Sequence, residues 1–112
     1  MKIEKFHIYL ATLDPPFGTE PGKTRPVVVV QTDSLNNVHR STIICPLTTK
    51  VKDAYPLRVY ISSQESSLPV DSDIMVDQIR AIDNHRFKKH VGRLNRRQTE
   101  LLLRNLKIVV LE

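Results

Sequence analysis

The sequence predicts a mainly β chain with a C-terminal helix, an α+β domain folded as a small twisted sheet or barrel. Short apolar segments alternate at a period of two, and clusters of proline, glycine and asparagine separate them. After Asn95 the apolar period lengthens to that of a helix. With 112 residues the chain has the size of one domain, so 1–112 is read as a single unit.

Phe6–Leu13 sets Phe6, Ile8 and Leu10 on one face, as a strand does. Asp14-Pro15-Pro16 ends it, because proline removes a donor and fixes the backbone. Leu13–Pro26 then reads as a long loop, and compact domains keep such loops where something is bound or gated. Pro26 drives Arg25 into extended backbone and opens the second strand. Val27–Val30 lacks a polar face, so both of its sides are expected to be covered.

Gln31–Ser41 is polar and turn-like, with Asn36-Asn37 expected at its tip. Thr42–Leu47 and the alternating Leu57–Ile61 give strands three and four, and Ile74–Ile82 reads as one fifth strand. The pattern weakens between His85 and Val91. Asn95 is a good N-cap, and Leu102, Leu106, Val109 and Val110 then fall on one helical face.

Net charge is +5, and the surplus is uneven. Arg80–Glu112 holds nine Lys or Arg against three acids, a surplus of six, so the remainder sums to about −1. A basic face draws polyanions by counterion release, although a solvated, solubilising surface has the same composition. Aromatic residues are only 5% of the chain, which argues against a multi-base stacking sheet. No apolar run is long enough to span a membrane, and the first residues lack the apolar stretch of a signal peptide. Cys45 stands alone and has no disulfide partner in the chain. A cytoplasmic protein is expected.

Four groups of residues could carry chemistry. Glu20, Lys23 and Arg25 flank the long loop, and the planar fork of arginine suits phosphate. Thr48 and Thr49 end a strand, where hydroxyls can donate to phosphate but more often make local turns. Asp77 and Gln78 interrupt an apolar strand, either lining a site or facing water. His7, His39, His85 and His90 are scattered and belong to none of these motifs. Metal-ligand spacing is missing as well: there is no HExxH and no cysteine pair, and no metal or other cofactor is expected.

Taken in order, these segments resemble the MazF/PemK/Kid family of bacterial toxins over nearly the whole chain. The resemblance rests on Leu13-Asp14-Pro15, Gly18-Thr19-Glu20 and Gly22–Gln31, with Thr32-Asp33 after them. It continues through Cys45-Pro46-Leu47-Thr48-Thr49 and Asp77-Gln78-Ile79-Arg80-Ala81-Ile82-Asp83 to the closing helix. Each piece alone is weak, but the ordered set is specific.

The resemblance implies an SH3-like or CcdB-like barrel that pairs as a homodimer. It implies a metal-independent endoribonuclease that cuts single-stranded mRNA at short sequences and is silenced by an antitoxin. By position, Arg25 and Thr48 match the family's catalytic pair, and Glu20 matches an acid of the loop. Thr19 stands where Kid-type members carry histidine and Met75 where they carry arginine, while Asp77 is kept.

Phe17, Thr19, Lys23, Thr49, Asp77 and Gln78 are then the expected substrate-binding residues, with Phe17 as a stacking group. The chemistry expected is attack of a ribose 2′-OH on the adjacent phosphorus, which DNA cannot support. Two rival readings stand beside this one. A CcdB-like gyrase poison would act through its terminal helix and leave RNA intact. A non-catalytic nucleic-acid-binding barrel would depend on Arg96 and Arg97 more than on Arg25.

Overall fold

A computed structural model describes residues 1–13, 18–19 and 23–112. Its strands are β1 (His7–Thr12), β2 (Thr24–Val29), β3 (Ser41–Thr48), β4 (Arg58–Ile61), β5 (Ser72–Met75), β6 (Arg80–Asp83) and β7 (Phe87–Arg93). The helix α1 (Arg96–Leu106) follows, and its last turn widens into a π-helix over Lys107–Leu111. Every strand pairing is antiparallel. The order is β4-β5-β3-β2-β1-β7, with β6 also paired to β3. The mainly β class with a C-terminal helix is therefore what the chain adopts. The barrel does not close: among the described residues β4 and β7 are the two ends of the sheet.

The Val27–Val30 segment is covered on both sides, as its composition requires. Val28 joins Ile8, Cys45, Leu47, Ile74 and Leu102 in one core, with Val30 packed against it. Val27 and Val29 join Tyr9, Ala11, Leu13 and Ile44 in a second core on the other face. Neighbouring residues of a strand point to opposite faces, so an unbroken apolar run serves two cores.

The expected fifth strand is two strands. From Ser41 to Leu47 β3 advances six residues, while its partners advance nine, from Asp83 back to Ile74. The three extra residues equal the single 3₁₀ turn at Val76–Gln78. An apolar period of two runs through both halves and hides the insertion. β7 was the strand the weak pattern concealed. It is an edge strand with Lys88, Lys89 and His90 exposed, and two register shifts against β1 break its alternation.

Asn36 is no loop tip either. It is buried, accepts from Gln31 at 2.9 Å and donates to Asp33 at 3.0 Å. Asn37 adopts a positive φ and bonds the Ile3 backbone through both ends of its amide.

At α1, Asn95 and Gln98 form a reciprocal capping box. Leu102 is fully buried, and Leu106 and Val109 pack against the same core. Val110 is 50% exposed, because the widened last turn carries it off that face. Among the described residues no helix is long and apolar enough to cross a membrane.

Candidate active site

Arg25 sits on β2 and Thr48 at the end of β3. The β2–β3 register pairs Val27 with Pro46, Val28 with Cys45 and Val29 with Ile44. Carried two residues further, it sets Arg25 opposite Thr48. Pro26 lies between, and without an N–H it cannot extend the ladder, so the strands part there and leave room. The result is a cavity of about 290 Å³ lined by Arg25, Pro26, Leu47, Thr48, Thr49 and Lys50, among others.

Arg25 is half-buried and donates from Nη1 to the Leu47 carbonyl at 3.3 Å. Thr48 Oγ1 accepts from the Lys50 backbone N–H at 3.1 Å. That bond occupies an oxygen lone pair and leaves the hydroxyl proton to donate. A guanidinium, a hydroxyl donor and the nearby Lys50 ammonium together suit a phosphate group. The buried acid near this wall, Asp73, is already held by Arg58 at 3.1 Å.

Other expected residues fall into place unevenly. Thr49 lines the same cavity. Lys23 is exposed at a positive φ, and its carbonyl accepts from Leu13 N–H at 2.7 Å, which closes the base of the β1–β2 loop. Thr19 is exposed beside Gly18 in a turn of that loop. Glu20 and Phe17 lie outside the described residues. Asp77 and Gln78 belong to the 3₁₀ turn, and neither lines the cavity of Arg25 and Thr48. Met75 is buried on β5 opposite Arg58.

Asp77 instead adds its charge to the surroundings of Cys45. Burial, with the Asp77 charge behind it, pushes the Cys45 thiol up to about 12. That thiol is no nucleophile. The histidines stay apart from the cavity. His7 and His90 hydrogen-bond each other at 2.9 Å on β1 and β7, and His85 bonds Asp83 at 2.9 Å. Arg96 and Arg97 pair with Glu100 at 3.2 Å and with Glu65 at 2.6 Å. Sequence reasoning missed Asp73 and Arg58. No local signal was available: Asp73 ends the polar run Asp71-Ser72-Asp73, ahead of the apolar segment, and meets Arg58 through the β4–β5 register.

The chain and its fold are similar to known proteins. The family model of PemK-like, MazF-like toxins of type II toxin–antitoxin systems matches residues 4–110. The fold is similar to that of MazF from Deinococcus radiodurans, at 22% identity and a TM-score of 0.84, over 98% of this chain and 97% of that one. It is similar to the Mycobacterium tuberculosis toxin MazF-mt6, at 20% identity and a TM-score of 0.78, over 92% and 94%. It is also similar to an endoribonuclease from a mycobacterial species solved with its cognate antitoxin, at 15% identity and a TM-score of 0.78, over 95% and 92%.

Proposed function

Because the chain belongs to the PemK-like, MazF-like toxin family, whose members are endoribonucleases, we propose that it cleaves single-stranded mRNA at short sequences. The observation that supports this reading is the joint presence of Arg25 and Thr48 in one cavity with room for a phosphate and its flanking sugar. In this mechanism the ribose 2′-OH gives up its proton and attacks the adjacent phosphorus, and the 5′-oxygen of the next nucleotide leaves, taking up a proton from solvent water. The ends are a 2′,3′-cyclic phosphate and a 5′-OH, and no metal is needed.

Arg25 stabilises the charge that builds on the phosphorane oxygens, from a position already fixed by the strand and the Leu47 carbonyl. Thr48 donates to a non-bridging oxygen. Arginine holds its proton too firmly to act as a ready base, so Glu20 is the proposed proton acceptor. The toxin works in the cytoplasm as a homodimer, and a cognate antitoxin covers the RNA groove. Exposed Leu103, Val110 and Leu111 offer apolar surface for such assembly.

The test is incubation of the purified protein with long single-stranded RNA in EDTA, followed by mapping of the new ends. Discrete cuts bearing cyclic phosphate and 5′-OH are expected. Intact RNA from a folded, antitoxin-free protein overturns the reading.

A further inference from the structure

The strand registers place Arg25 in a row that runs beyond Thr48. β1 sets Ala11 opposite Arg25, β5 sets Asp73 opposite Thr48, and β4 sets Tyr60 opposite Asp73. Paired residues of antiparallel strands share a face. Arg25, Thr48, Asp73 and Tyr60 therefore lie in line across four strands, with Tyr60 about 14 Å from Arg25 at ~4.8 Å per strand.

The far end of this row is a recess of about 250 Å³, lined by Lys52, Tyr55, Arg58, Tyr60 and Asp73 among others. Its wall is pinned. The Asp73 carboxylate, 1% exposed, accepts from the Lys52 N–H at 2.9 Å and from Arg58 Nη1 at 3.1 Å. Arg58 also donates to the Lys50 carbonyl at 3.2 Å. The segment between Thr48 and the recess is thus fixed at both of its ends.

Tyr60 is 49% exposed although Val59 and Ile61 on either side are buried in the core. Asp71 lies beside its hydroxyl and is the first cause that raises its pKa above the ordinary tyrosine value. An uncovered aromatic face on a rigid strand, beside a hollow roomy enough for one nucleobase, is a stacking surface.

We propose that the recess beside Tyr60 takes a base of the RNA flanking the cleaved bond, stacked on the Tyr60 ring. Asp73 acts as a positioning residue that holds the recess wall through Arg58 and Lys52. Lys50 and Lys52 then lie beside the intervening backbone phosphates. This rests on the ribonuclease reading and adds the subsite that reads a neighbouring nucleotide.

The experiment uses a short oligonucleotide containing a mapped cut site, and a set with one abasic residue at each position in turn. One abasic position is expected to raise KM about tenfold for the wild type and for Tyr60→Phe, with kcat little changed. Tyr60→Ala starts from that raised KM on the intact oligonucleotide and loses nothing more at that position. Asp73→Asn raises KM in the same way and also flattens the contrast. The proposal is overturned if each abasic position costs Tyr60→Ala as much as it costs the wild type. It is equally overturned if a normally melting Tyr60→Ala keeps the wild-type KM.

Failure of the ribonuclease reading looks different, since the wild type would then cut nothing. In that event, binding of a short fluorescent single-stranded RNA by anisotropy decides the subsite. An unchanged Kd in Tyr60→Ala removes it, and about tenfold weakening retains it.

Discussion

Arg25 Nη1 donates to the Leu47 carbonyl at 3.3 Å, which ties the guanidinium of β2 to the strand that carries Thr48. The bond crosses the place where Pro26 stops the ladder, so a side chain bridges where the backbone no longer does. This makes Arg25 a group held in advance of any substrate, the condition under which a charge donor lowers a barrier most.

Arg25→Ala is expected to lower cleavage at least about 100-fold while the protein melts within a few degrees of the wild type. Arg25→Lys keeps the charge but loses the planar fork, and is expected to recover only a small part of the rate. Single-turnover cleavage beside a thermal melt checks both. A folded Arg25→Ala enzyme with near-normal turnover removes Arg25 from the mechanism.

Asp73→Ala is expected to cost roughly 3 kcal/mol, because it leaves the Arg58 guanidinium, whose side chain is only 14% exposed, without its carboxylate partner. Denaturant unfolding measures it. A cost below about 0.5 kcal/mol would place the pair among ordinary surface ion pairs.

Stability should fall on acidification below about pH 4. Asp33, Asp71 and Asp83 each lie below the ordinary carboxylate value of 3.8, chiefly because each accepts a backbone N–H, from Lys5, Ser63 and His85 respectively. A carboxyl depressed in the folded state stabilises it above the unfolded value. That contribution disappears as pH drops through the folded value. Melting temperatures from pH 6 to pH 2.5 should be flat and then decline. In Asp33→Asn the decline should be shallower, because one such group is gone.

Much of this was legible in the sequence, and the exceptions have physical causes. Val27–Val30 announced a strand buried on both faces, and Asn95 announced a capped helix start, because each depends on neighbours in the chain. Pro26 marked extended backbone beside the site for the same reason, although β2 begins two residues before it, at Thr24. The turn at Val76–Gln78 was hidden because apolar residues flank it on both sides, so Asp77 and Gln78 read as polar positions within one strand. β7 was hidden because an edge strand faces water and is bulged. The link from Asp73 to Arg58 spans 15 residues and exists only through the β4–β5 register, so no local spacing could reveal it.

Cys45 should resist alkylation until the protein unfolds. Its side chain is wholly buried on β3 between the two sheet neighbours, and its thiol is raised to about 12. Iodoacetamide labelling at pH 8 should therefore track global unfolding as denaturant is added. Labelling that runs ahead of the unfolding transition would instead mean that β3 opens locally.

Gly92 gives the sharpest packing prediction. A Cβ built on it would overlap the Ser67 hydroxyl and come within 2.7 Å of the Ser67 Cβ. The loop before β5 and the edge strand β7 approach each other there with no room for a methyl group. Gly92→Ala should therefore destabilise by about 1–3 kcal/mol through overpacking. If the cause is this contact, Ser67→Gly in the same chain removes the obstructing atoms and restores most of the loss. The two substitutions then show a coupling that neither shows alone. Urea unfolding of the four proteins in the cycle measures it. Strict additivity would mean that Gly92 is needed for its backbone and that the Ser67 contact relaxes at no cost.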